Sequence, residues 1–178
     1  MNYTILFVNT ILGLLLLYSY YFSINKLEKP QRLWGRIHEK YRPIYTVSML
    51  IAALGYVFML YFLGFKVKNN GKFMNEILCL QIIIILASML WMPLATKYIK
   101  NKNEDKNKNK NKNIILKFAI ILILFTVAIA SLGNFFKVLS INFPQKDINV
   151  RFFSVIGAFY LFFHTFALDF LSWNYNFF

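Results

Sequence analysis

The sequence predicts an all-α protein, an integral membrane five-helix transmembrane bundle, and three observations carry that prediction. Hydrophobic residues make up 58% of the 178 positions and aromatic residues 19%, against 15% charged. The charges gather in clusters separated by apolar stretches of about 20 residues, the length that crosses a hydrocarbon core of about 30 Å at about 1.5 Å per residue. No stretch alternates polar and apolar positions as a barrel strand does, so each must be a helix that satisfies its backbone groups internally.

The flanks bracket the spans at 3–24, 44–65, 77–99, 114–139 and 152–173, forming a single membrane domain over 1–178. The first has no basic residue before it and no small-residue cleavage pattern where "YYFSINKLEK" follows, which reads as an uncleaved span rather than a signal peptide. In the second, Ser48, Ala52 and Gly55 recur at i, i+4 and i+7, a stripe that lets a neighbouring backbone approach. Thr126, Ala130 and Gly133 repeat it in the fourth span, which is long enough to tilt or to emerge at Lys137; Asn9 and Gly13 form a weaker version in the first. The third span holds Gln81, read as an amide bonded to a neighbouring helix or as a ligand contact. It also holds Cys79, the sole cysteine, which excludes an internal disulfide and reads as buried packing.

The fifth span carries His164 and Asp169. The histidine reads either as a proton-relay or ligand group, or as a neutral ring tied to another helix. Asp169, one turn from the end of the span, reads as reaching interfacial water. Five residues apart on an α-helix, the two side chains point about 140° apart and are not expected to pair.

The loops give orientation. Lys26, Lys29, Arg32, Arg36, Lys40 and Arg42 follow the first span, and Lys97, Lys100, Lys102, Lys106, Lys108, Lys110 and Lys112 follow the third. The other two connections carry only Lys66, Lys68 and Lys72, and Lys137, Lys146 and Arg151. The positive-inside rule therefore puts the N-terminus outside and the C-terminus in the cytoplasm, and the net charge of +13 is largely topological. Nucleic acid is not an expected partner, because it wants basic residues on a folded polar surface with base-stacking aromatics. The segment "KNKNEDKNKNKNKN" at 100–113 is polar and repetitive, and is expected to be a flexible linker.

Enzyme chemistry finds no foothold. The chain has no Gly-rich phosphate loop, no paired carboxylates at membrane depth and no metal ligands at helical spacing. Its two histidines, His38 and His164, lie at different depths, so haem is not held between them. In "ASMLWMPLATKY", Pro93 frees the carbonyl of Met89 and should bend the end of the third span beside Trp91.

The stretch "LEKPQRLWGRIHEKYRPIYTVSMLIAALGY" resembles the first loop and second helix of the TspO/translocator protein family, the tryptophan-rich sensory proteins. There a Lys-Pro pair precedes a tryptophan, then Pro-Val-Trp-Thr opens the helix and a Gly follows; Lys29, Pro30, Trp34, Pro43, Ile44, Tyr45, Thr46 and Gly55 occupy those places. "SMLWMPLATKY" is similar to the family's Asn-x-x-Trp-x-Pro pattern in the third helix, and "YLFFHTFALDFLSWN" to Tyr-Leu-x-Trp-x-Ser/Thr-Phe-Ala in the fifth. Departures are Ser88 for Asn, and Tyr45 and Phe163 for Trp.

The resemblance implies a bundle with a ligand pocket near the cytoplasmic first loop, accepting a porphyrin, another tetrapyrrole or some other flat apolar molecule. Carried over, Trp34, Tyr45, Trp91, Tyr160, Phe163 and Phe166 line it, Pro93 shapes its wall and His164 supplies a polar contact. The expected function is non-enzymatic binding for sensing or transport. The alternatives are a membrane assembly protein whose helices only pack, and a small transporter subunit. Expected partners are the lipid bilayer and a hydrophobic small molecule, with a homodimer as a further state.

Overall fold

The computed structural model describes residues 1–67, 71–104, 110–141 and 148–178. Five long helices cross the molecule, and no strand occurs among the described residues. Helix α1 is Tyr3–Asn25; α2 is Arg42–Tyr61, continued by a π-helical segment Phe62–Lys66; α3 is Gly71–Glu104 and α4 Lys110–Leu139. Helix α5 is Ile148–Phe163, continued by a ten-residue π-helix His164–Trp173 and a last α-turn, Asn174–Phe177. Each is long and apolar enough to span a bilayer. Their outward faces expose residues such as Phe7, Leu14, Leu54, Phe118 and Phe152, far more apolar surface than water tolerates in one molecule. The chain is a multi-pass integral membrane protein in contact with lipid.

The helices run up and down in the ring order α1, α3, α4, α5, α2. The parallel pair α1 and α3 is tied at three levels: Asn9 Nδ2 donates to Gln81 Oε1 at 2.8 Å, Ser19 Oγ to Met89 O at 3.0 Å, and Thr96 Oγ1 to Ser23 O at 3.4 Å. Such interhelical bonds contribute about 0.6 kcal/mol each in a membrane, so they fix register more than they hold the bundle together. Between α3 and α4, Lys137 pairs with Glu76 and Ile84 packs on Val127 and Ala130. Gln81 is thus an interhelical amide.

The tightest crossing joins α2 to α5. A Cβ placed on Gly55 would stand 2.7 Å from Gly157 Cα, and one on Gly157 would stand 2.5 Å from Gly55 O. The Ser48, Ala52, Gly55 stripe is buried along this seam, as its spacing predicts. At its π end α2 turns to α1: Gly64 lies under Leu6, and Asn2 donates from its backbone to Gly64 O at 2.8 Å and from Nδ2 to Leu63 O at 2.6 Å and Val67 O at 3.0 Å. The Leu63 and Gly64 carbonyls belong to the last turn of the helix and need outside donors, and Val67 follows it in extended backbone.

Several expectations change. Cys79 is exposed on the outer face of α3 rather than buried. In α4 the inward face runs through Leu124, Val127, Ala128, Ser131 and Asn134, so of the predicted stripe only Ala130 is fully buried; Gly133 makes ordinary contact with Leu80, and Gly13 meets nothing within 4 Å. The Lys/Asn segment is not a linker throughout, because α3 continues to Glu104 and α4 starts at Lys110; its centre, with Lys106 and Lys108, lies outside the described residues, as do Lys68 and Lys146. Helix α3 continues through Pro93 to Glu104, and the Met89 carbonyl that the proline frees accepts from Ser19 Oγ.

Replacing Gly157 by alanine should lower stability by about 1–3 kcal/mol, because a backbone cannot yield as a side chain does. Gly13→Ala, with open space around it, should leave stability unchanged or raise it slightly. Thermal unfolding in one detergent reads the difference, and equal melting temperatures for the two variants would refute the close crossing.

Candidate functional site

The first loop is built to be a cover. Pro30 opens a 3-10 turn, Pro30–Trp34, and Gly35 ends it at φ 55°, a left-handed conformation that favours glycine. A side chain there would also collide with the C-terminal turn, since an added Cβ would lie 2.4 Å from Asn176 O. Arg36 N donates to Asn176 O at 2.8 Å, Arg36 Nη2 to Tyr175 O at 3.2 Å, and Trp173 Nε1 to Leu33 O at 2.9 Å. The loop is thereby fastened to the end of the fifth span.

Beneath it lies a cavity of about 350 Å³, at the small end of the range for ligand pockets. Its wall is aromatic. Trp34 meets Tyr45 edge to face at 6.1 Å between ring centroids, Tyr20 meets Trp91 at 5.7 Å, and Trp91 meets Trp173 at 5.1 Å. Tyr45 hydrogen-bonds Ser172 through its hydroxyl, fixing the start of α2 to the π-helical segment. Ile24 of α1 and Thr46 and Met49 of α2 complete the side where those helices face each other, and Thr46 and Met49 keep much of their surface accessible. Gln31 of the loop, which also lines the cavity, is exposed as well.

Besides Gln31 and Thr46, the polar lining includes one histidine and one carboxylate, His164 and Asp169. A π-helix bonds i to i+5, so it carries positions five apart onto one side, where an α-helix would separate them. His164 Nε2 consequently stands 3.6 Å from Asp169 Oδ1. This corrects the sequence expectation that the pair lies on different faces, and the expectation that Asp169 only reaches interfacial water. On the other side of the ring, Ser48 Oγ lies 2.9 Å from His164 Nδ1 and 3.0 Å from Tyr160 Oη.

No protein-family model, curated protein or solved structure matches the chain.

Four of the eight residues singled out from sequence meet at the cavity: Trp34, Tyr45, Trp91 and His164. The other four do not line it. Pro93 is exposed on the far side of α3. Phe163 is 44% exposed on the outer surface, and Phe166 stacks between Phe162 and Phe170. Tyr160 stands behind the wall, holding Ser48. Sequence reasoning missed Tyr20, Met49, Asp169 and Trp173. Tyr20 is one of several tyrosines near the end of the first span, and Trp173 stands at the last position of the fifth span, so neither is marked out by its surroundings in the sequence.

A Ser-His-Asp succession invites comparison with hydrolytic catalysis, in which the serine oxygen must face the substrate and backbone N–H groups must hold the oxyanion. Ser48 is 5% exposed, does not line the cavity and is engaged by Tyr160, and the helices on either side use their N–H groups internally. The arrangement positions a histidine and a carboxylate side by side at a cavity wall. No cluster of three or more metal-ligating side chains occurs among the described residues.

The two indoles on the cavity's inner side should respond differently to loss of N–H. Trp91 Nε1 is enclosed with no partner, whereas Trp173 Nε1 holds the loop at Leu33. The Phe variants remove similar volume, so Trp173→Phe should cost about 1 kcal/mol more than Trp91→Phe. Paired denaturation curves measure it; an equal or reversed order would show that the Leu33 contact does not fasten the loop.

Proposed function

We propose that the chain is a TspO-like membrane protein that takes a hydrophobic, planar ligand into this cavity for sensing or transport, without chemistry upon it. One observation carries the reading: all three tryptophans of the sequence, drawn from the first loop, α3 and the end of the fifth span, line a single chamber. Packing alone does not require three separated segments to spend their indoles around open space, whereas flat aromatic ligands are held by such walls. The volume suits a molecule of a few fused rings; a full tetrapyrrole would protrude between α1 and α2.

The basic residues of the first loop and of the α3–α4 connection support placing the covered end of the bundle in the cytoplasm. The homodimer expectation draws support from α1, whose apolar window is only 11% buried, the least of the five spans.

Because every tryptophan lines the cavity, intrinsic fluorescence reports on it directly. Saturable quenching is expected on titration with a neutral planar probe such as anthracene or protoporphyrin dimethyl ester. Met49→Trp, which fills the opening between α1 and α2, should weaken binding by about ten-fold, while Phe163→Leu on the outer face should leave it within about two-fold. If no planar probe quenches saturably, the chamber is a packing defect and the assembly alternative takes its place.

A further inference from the structure

The charge of the cavity wall defines the ligand more narrowly, granted that the cavity is a ligand site as proposed above. The chain has 20 basic and 7 acidic residues, yet the wall holds one carboxylate, Asp169, and no lysine or arginine. The Asp169 side chain keeps 33% of its surface accessible at the chamber it lines. Its ion-pair partner is His164 Nε2, at 3.6 Å beyond hydrogen-bond length, and the Tyr20 hydroxyl lies within its electrostatic reach. The ring is meanwhile engaged on its other nitrogen by Ser48. Asp169 therefore retains acceptor capacity directed at the chamber. A carboxylate at membrane depth is costly, and one left without a close cationic partner points to a ligand that supplies it.

The remaining wall agrees. Tyr20, Trp34, Tyr45, Trp91 and Trp173 surround the chamber, and aromatic faces attract a cation through their quadrupoles. A cation seated there would in turn favour the ionised form of Asp169. A planar anion, such as a tetrapyrrole bearing free carboxylates, would find a like charge and no lysine or arginine in the wall. The exposed basic residues of the loop, Lys29, Arg32 and Arg36, lie on its solvent side, where salt screens them over about 8 Å at physiological strength.

We propose that the cavity selects a lipophilic organic cation, a flat aromatic ammonium or pyridinium-type molecule, with Asp169 as its counter-ion and the tryptophan and tyrosine rings as its walls.

The test compares three probes of one shape on the purified protein in an uncharged detergent at physiological salt: N-methylacridinium, anthracene and anthracene-2-carboxylate, each followed by tryptophan quenching. The wild type should bind the cation about ten-fold or more tightly than the anion. Asp169→Asn should bring the two within about two-fold while leaving anthracene unchanged, and Asp169→Glu should keep the preference. Equal binding of cation and anion by the wild type, or a preference that survives Asp169→Asn, overturns the charge assignment while leaving the cavity reading intact. Failure of all three probes overturns both.

Discussion

The contact between Gly55 and Gly157 governs the rest of the arrangement. Two backbones at this separation leave no room for a Cβ on either side, so α2 and α5 are pinned at one height and their flanking residues must follow. Above the crossing, Ser154 Oγ reaches Phe58 O at 3.3 Å; below it, Ser48 reaches His164 and Tyr160. Having given its small-residue face to α5, helix α2 meets α1 through its opposite end, at Gly64 and Asn2, and through the Tyr56 hydroxyl bound to Asn9. The far halves of α1 and α2 are then left facing each other across space. That space is the cavity, and the first loop covers it.

The second constraint is the register of the fifth span. A change from i to i+4 to i to i+5 bonding at His164 widens the helix and turns every later side chain. Asp169 is carried round to join His164, Ser172 meets Tyr45 on α2, and Trp173 comes inward to stack on Phe177 at 4.0 Å and to hold Leu33. An unbroken α-helix from Ile148 would put Asp169 and Trp173 elsewhere. The seam with α5 decides that α2 stands beside the cavity, and the π-helix decides what chemistry the fifth span presents to it.

The parts legible in the sequence are those written in composition and short spacing. Runs of about 20 apolar residues are readable one at a time, since each span meets the bilayer independently. The Ser48, Ala52, Gly55 stripe was readable for the same reason, because small residues at helical spacing have one effective use between lipid-buried helices. Trp34, Tyr45, Trp91 and His164 were singled out from the family resemblance, and they do converge. The polar pair was not legible, because no residue type marks a π-helix; its register comes from packing among α2, α4 and the loop, which a single span does not encode. Cys79 and the α4 stripe show the complementary limit: on a helix apolar all round, the inward face is chosen by the neighbours.

The fastening of the loop bears on how a ligand would reach the chamber. Lifting the cover breaks the Leu33, Asn176 and Tyr175 contacts together, each worth about 1 kcal/mol, and undoes the close approach of Gly35 to the C-terminal turn. The side between α1 and α2 has no such ties. Its wall is Ile24, Thr46 and Met49, and a shift of the Met49 side chain, with its unbranched and adaptable stem, costs only a rotamer change. If the cavity takes a ligand as proposed, the lower-cost opening would be this one, and it would favour molecules that first concentrate in lipid. Under the function proposed above, a flat aromatic cation would partition into the bilayer interface first, and the route of entry and the charge of the wall would then select the same class of molecule.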